Sequence, residues 1–72
     1  MKPLDLLQQS LHKAVLVELR GGRRVRGTLE SFDQHLNLVL SGAEERDATG
    51  ENPIPRPGMT LVRGDSVIFI SP

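Results

Sequence analysis

Gly27-Thr28-Leu29-Glu30-Ser31-Phe32-Asp33-Gln34-His35-Leu36-Asn37-Leu38-Val39-Leu40 is two strand-like runs hinged at the polar corner Asp33-Gln34-His35. Val25, Gly27 and Leu29 share one phase of a period-two pattern, whereas Phe32 falls in the other. A single strand buries both Leu29 and Phe32 only if it bulges or bends between them, and Gly27 marks another place where a strand bends sharply. Leu36, Leu38 and Leu40 restore the alternation in a further strand. Strong curvature in the middle of a sheet is what a small barrel requires.

Upstream, Val15, Val17 and Leu19 alternate with Leu16, Glu18 and Arg20, which predicts a strand with one mainly buried face. Gly21-Gly22 suits the positive φ angles of a tight hairpin back into the second strand. Before it, Leu4, Leu7 and Leu11 share a helical face, Pro3 suits the first turn, and Asp5 complements the positive end of the helix dipole. So short a helix is unstable alone, so its leucines are expected to pack on the open end of a sheet. His12, near the end of that helix, reads as a favourable charge at its C-terminus when protonated.

Downstream, residues 41–57 break every pattern, with glycines at 42 and 50 and prolines at 53, 55 and 57. Residues 43–57 are expected to be a long loop, into which longer strands could reach, with Pro53 to Pro57 locally extended. Met59 to Val62 predicts a fourth strand, Arg63-Gly64-Asp65 a turn, and the unbroken apolar run Val67-Ile68-Phe69-Ile70 a fifth strand covered on both faces, one compatible with the domain's own core and the other, with the strand's edge, with a neighbouring subunit. Phe32 and Phe69 both read as core residues. The expected organisation is one domain over residues 1–72: a helix at about 4–12 and strands at about 14–20, 23–32, 35–42, 58–63 and 66–71. The fold class is all-β with a short N-terminal helix, a strongly bent antiparallel sheet in a small SH3-like open barrel.

A chain of 72 residues builds only a modest core and commonly borrows stability from disulfides, metals or other subunits. It contains no cysteine, which removes disulfides and thiolate zinc sites and leaves oligomerisation. No apolar run approaches the ~20 residues that span a bilayer, and no secretory signal pattern opens the chain, so a soluble cytoplasmic protein is expected. Nine basic and nine acidic residues give a formal net charge of zero, so no global field favours nucleic acid. The charges are nevertheless segregated. Arg20, Arg23, Arg24 and Arg26 crowd one hairpin, and Glu44, Glu45, Asp47 and Glu51 crowd the following loop. Both clusters read first as solvated surface, and the hairpin could alternatively meet phosphates or salt-bridge to that loop.

Two motifs in order carry a resemblance: Gly27-x-Leu29-x-x-Phe32-Asp33-x-His35-Leu36-Asn37-Leu38-Val39-Leu40, then Leu61-Val62-Arg63-Gly64-Asp65-x-Val67. On them the chain resembles the Sm and Sm-like (Lsm) family over nearly its whole length, most like the Sm-like archaeal proteins. The resemblance implies the Sm fold and a homo-oligomeric ring, usually of seven subunits, closed by pairing the fourth strand of one subunit with the fifth of the next. It implies an RNA site at His35, Asn37, Arg63 and, in support, Asp65, with Asp33 and Gly64 holding the turns. Phe32 stands where many relatives have Tyr, so any contact of that hydroxyl is absent.

The residue chemistry agrees with that use. His35 and Arg63 offer flat faces on which a base can stack, and Asn37 offers both an acceptor and donors for the edge of uracil. The expected function is capture of single-stranded, uridine-rich RNA in pore-side pockets, in RNA processing or as an RNA chaperone, without a cofactor. Protein partners in RNA processing are compatible with it. Read without the second motif, Asp33, His35 and Asn37 are also compatible with a plain polar turn, a metal ligand set or an Asp-His general base. No second histidine at ligand spacing and no glycine-rich phosphate loop completes an enzyme, and none is expected. The alternative from a different class is a protein-scaffolding ring or interaction module in which RNA is secondary.

Overall fold

The computed structural model describes residues 2–72. Helix α1 (Pro3–Gln9) leads into five strands, β1 (Ala14–Leu19), β2 (Arg24–Phe32), β3 (Leu38–Arg46), β4 (Ile54–Val62) and β5 (Val67–Ser71). A single 3-10 turn, Gly64–Ser66, separates the last two. All strand pairs are antiparallel, and the sheet runs in the order β4-β3-β2-β1-β5. Strands β1 to β4 thus form a meander, while β5 returns to the far edge beside β1, leaving β4 and β5 as the two free edges.

The phase change read between Leu29 and Phe32 is a slip in the β2–β3 register. Leu29 pairs with Leu40 and Ser31 with Val39, so β2 spends one extra residue at Glu30. That residue returns Phe32 to the core side, where it is partly buried against the main cluster. A second slip lies beside Gly27. Here Arg26 pairs with Glu44 and Thr28 with Ser41, which puts the extra residue in β3 near Gly42, whose φ is 56°. Gly27 itself is needed for close approach: a Cβ there would lie 3.1 Å from both the Ala43 Cα and the Ser41 carbonyl oxygen.

Residues 43–57 are not the expected long loop, and this is the main correction to the sequence reading. Strand β3 continues to Arg46 and β4 begins at Ile54, leaving only 47–53 as connection. The prolines fit because β4 is an edge strand, where a missing N–H on the solvent side costs no ladder bond. A third slip falls at Pro57-Gly58, where Ser41 pairs with Met59 and Ala43 with Arg56. The glutamates fit because Glu45 is a buried core-facing residue (8% exposed) whose carboxylate takes Arg23 on one oxygen and Arg56 on the other, the latter at 3.1 Å. Strand β3 also starts at Leu38 rather than 35, and the helix ends at Gln9 rather than 12. His12 therefore lies beyond the helix with a φ of 65°, its Nδ1 3.4 Å from Glu30.

The core is Val15 and Val17 of β1, Val25 and Leu29 of β2, Leu38, Leu40 and Ala43 of β3, and Val62 of β4, capped by Leu7 of the helix. Leu7 is buried and Leu11 packs partly against the cluster, but Leu4 remains 42% exposed. Phe69 is not a core residue either. It is 46% exposed on β5 beside Ile68 at 54%, while Met59 and Leu61 on β4 are 69% and 67% exposed. Both free edges of the sheet therefore carry uncovered apolar side chains.

Because Gly27 sits where a side chain has no room, Gly27→Val is expected to cost about 1–3 kcal/mol through overpacking against β3. Urea unfolding of the two proteins at equal concentration checks this, and an unchanged midpoint would show that the bend tolerates a side chain.

Candidate nucleic-acid interface

The corner between β2 and β3 is built by one carboxylate. Asp33 Oδ1 accepts the backbone N–H of His35 at 2.8 Å and that of Asn37 at 3.1 Å, while Oδ2 accepts the Asn37 side-chain amide at 3.0 Å. An aspartate answering the backbone two residues on is the usual device for a tight polar turn. Two backbone bonds close the loop, Leu36 N–H to the Asp33 carbonyl and Asp33 N–H to the Asn37 carbonyl, both at 3.1 Å. Leu36 is held at a φ of 64°, a left-handed conformation uncommon for a residue with a branched side chain.

The second corner docks onto the first. Asn37 Oδ1 accepts the backbone N–H of Gly64 at 2.8 Å, so the Asn37 amide is fixed at both ends. Gly64 has no alternative there, because a Cβ would collide with the His35 carbonyl oxygen and press on the Leu36 carbonyl carbon. The glycine is required for approach of backbone to backbone and not for an unusual φ. The structure thus brings Asp33, His35, Asn37 and Gly64 together directly, and Arg63 and Asp65 flank the contact.

Arg63 and Asp65 face solvent, with side chains 76% and 65% exposed, and the Arg63 guanidinium lies 3.0 Å from the Asp65 carboxylate. So exposed a pair contributes little to stability, but it restricts the guanidinium plane. His35 is also exposed. Two exposed flat side chains, His35 and Arg63, are thus carried on the braced backbone of the two joined corners. One Nδ2 hydrogen and one Oδ1 lone pair of Asn37 remain free.

Sequence patterning did not reveal two of the supports. Asn37 is first a clamp between the corners, and only its residual capacity can face a ligand. Arg20, read as part of a basic cluster, donates from Nε to the Asp65 carbonyl at 2.8 Å, and its own N–H reaches the Ser66 carbonyl at 2.9 Å. The end of β1 thereby latches the turn that carries Arg63. Among the described residues, no three His, Cys, Asp or Glu side chains gather as a metal site.

The amide of Asn37, opposed by desolvation and helped by the Asn37 and His35 backbone N–H groups and the His35 charge, holds the Asp33 carboxyl below its ordinary value of 3.8. A carboxylate with a lowered folded pKa stabilises the fold at pH values above the unfolded pKa, and that contribution disappears as pH falls through the folded pKa. The corner is expected to loosen only below about pH 3.8. Amide chemical shifts of His35, Asn37 and Gly64 followed in an acid titration should share an inflection below that value, and one at or above it would contradict the bonding described.

Comparison with known proteins places this geometry. The sequence profile of the LSM domain matches residues 5–72. An Sm-like protein of Archaeoglobus fulgidus is 49% identical over 71 residues, covering 99% of this chain and 90% of its own. The P.aerophilum SmAP1 heptamer, a solved structure, superposes with a TM-score of 0.87 at 48% identity, over 100% of this chain and 93% of that one. The Sm protein of Pyrococcus abyssii, solved in complex with a uridine heptamer, superposes with a TM-score of 0.85 at 41% identity, over 100% of this chain and 99% of that one.

Proposed function

The chain belongs to the LSM family of Sm and Sm-like proteins, and from that membership we propose that it is a ring-forming RNA-binding protein that captures single-stranded, uridine-rich RNA. The observation that carries the reading is the clamp of Asn37 between Asp33 and the Gly64 N–H, which holds His35 and Arg63 on one composite surface. A base stacks on His35 and on the Arg63 guanidinium. The free N–H and lone pair of Asn37 meet the acceptor and donor on the edge of uracil. Asp65 orients Arg63, and Asp33 with Gly64 holds the two turns. Nothing in the reading requires bond making or breaking, and we assign the protein to RNA processing or chaperoning in the cytoplasm.

The free edges support the ring. Strand β4 exposes Met59 and Leu61, strand β5 exposes Ile68 and Phe69, and each edge also presents an unpaired row of backbone donors and acceptors. Pairing β4 of one copy with β5 of the next covers both and, repeated, closes on itself as a heterologous interface does. The uridine heptamer bound by the Pyrococcus abyssii protein and the heptameric assembly of the P.aerophilum protein are consistent with this reading. Seven linked pockets would also bind a continuous strand more tightly than one pocket binds a base.

Two measurements test the proposal. Native mass spectrometry is expected to give a seven-subunit species, and a monomer at micromolar concentration would overturn the ring. Fluorescence anisotropy should give tighter binding of oligo-U than of oligo-A or oligo-C. His35→Ala and Arg63→Ala should each weaken oligo-U by about 5- to 100-fold, the equivalent of losing ~1–3 kcal/mol of stacking. Indifference to base identity and to both substitutions would overturn the uridine pocket.

A further inference from the structure

The basic hairpin singled out in the sequence is only partly absorbed by the fold. Arg23 is held by Glu45, and Arg20 by the Asp65 carbonyl. Arg24 and Arg26 remain. Val25 and Gly27 are buried, so by the alternation of β2 these two arginines stand on the outward face of the sheet. Arg46 joins them there, directly opposite Arg24 in the β2–β3 register. With Leu16 and Glu44, the three arginines line a depression of about 260 Å³.

This arrangement is unfavourable for an isolated fold. Like charges directly opposite on neighbouring strands repel, although Arg46 also donates to the Gly50 carbonyl at 3.2 Å and so helps hold the β3–β4 connection. Two carboxylates offset the charge incompletely: Glu18 lies 3.3 Å from Arg24 and Glu44 2.9 Å from Arg46. Arg26 is paired in register with Glu44, yet that carboxylate is turned to Arg46, and among the described residues Arg26 makes no ion pair. Both ion pairs are solvent-exposed, so they are weak and readily exchanged for a ligand anion.

We propose that this depression is a phosphate-binding site on the outer face of the sheet, taking the phosphodiester backbone of an RNA strand that extends beyond the corner pocket. The proposal rests on the reading of the corners as an RNA site. Guanidinium forks match phosphate oxygens in pairs, and the depression has no aromatic wall on which a base could stack, so it reads backbone and not sequence. Arg24 opens β2 and Asp33 follows its last residue, nine residues on. At ~3.3 Å per residue this separates the two sites by up to ~30 Å, less where the strand bends. A heptauridine confined to the corners leaves the outer site empty, and a longer strand can reach it.

The test is fluorescence anisotropy over a salt series with two RNAs, a heptauridine and a longer RNA carrying the same heptauridine at its centre. Wild-type protein is expected to bind the longer RNA more tightly and with a steeper dependence on salt. Arg26→Ala and the double variant Arg24→Ala/Arg46→Ala should leave heptauridine affinity unchanged and weaken the longer RNA several-fold. The slope of log K against log salt should fall by ~0.7 for each phosphate that the variant no longer neutralises. Unchanged slopes for the longer RNA overturn the site, as does equal weakening of both RNAs, which would put the arginines in the corner pocket or in ring assembly. Failure of wild-type protein to bind heptauridine overturns the corner reading alone, because the arginine dependence of the longer RNA is measured separately.

Discussion

The bend in β2 is the constraint on which the rest of the molecule depends. An extra residue at Glu30 brings Leu29 and Phe32 onto the same side, and the slip beside Gly27 lets β3 cross within contact of the β2 backbone. With an unbent β2, either Phe32 would face water or the register beyond Leu29 would put the leucines of β3 outside. Past the bend, Leu38 pairs with both Phe32 and Val62, so the loop after Phe32 and the loop after Val62 leave the same end of the sheet, where Asn37 bridges Asp33 to Gly64.

How much of this could be read from the residues follows from the kind of signal each feature leaves. The bend was legible because alternation is strict where one face is buried, so a change of phase has few explanations. The two corners were legible as polar interruptions of apolar runs, the second of them carrying a glycine. The continuation of β3 and β4 was not, since Glu45 occupies a buried position that periodicity assigns to an apolar residue. Its burial depends on Arg23 from the hairpin and Arg56 from the neighbouring strand, partners 22 and 11 residues away in the chain. Prolines concealed β4 for a related reason, because their cost depends on whether the strand lies at an edge, and position within a sheet is not a local property. The Phe69 side chain was misplaced by the same logic: an apolar run signals cover, but not whether the cover comes from the same chain.

Within the candidate site, residue type pointed to a surface, and geometry shows which of its side chains already hold the protein together. His35 and Arg63 are exposed and have no structural duty that their flat side chains would have to abandon for a ligand. Asn37 is different, since both ends of its amide already bind the protein. Substituting it would remove the clamp together with any bond to the ligand, which makes it a poor residue from which to infer base recognition. Arg20 belongs with Asn37, because it acts on the turn that carries Arg63 and not on any exposed face.

Electroneutrality then limits what kind of RNA binding the fold can support. With a formal net charge of zero there is no overall potential to steer a polyanion, so affinity has to arise from stacking, shape and a few local cations. Most of the arginines named here are committed to carboxylates or carbonyls of the protein itself, Arg23 and Arg56 to Glu45 and Arg20 to Asp65. The corner surface consequently has base-stacking planes but little spare charge for phosphates. On the proposed reading, a contact to the RNA backbone falls elsewhere on the chain, and among the described residues the outward Arg26 of β2 is the arginine whose side chain engages neither a carboxylate nor a carbonyl, beside the exposed and exchangeable pairs of Arg24 and Arg46. If both proposed sites act as read, their separation in space would let the corners discriminate bases without the sequence-independent attraction that a strongly basic pocket would add.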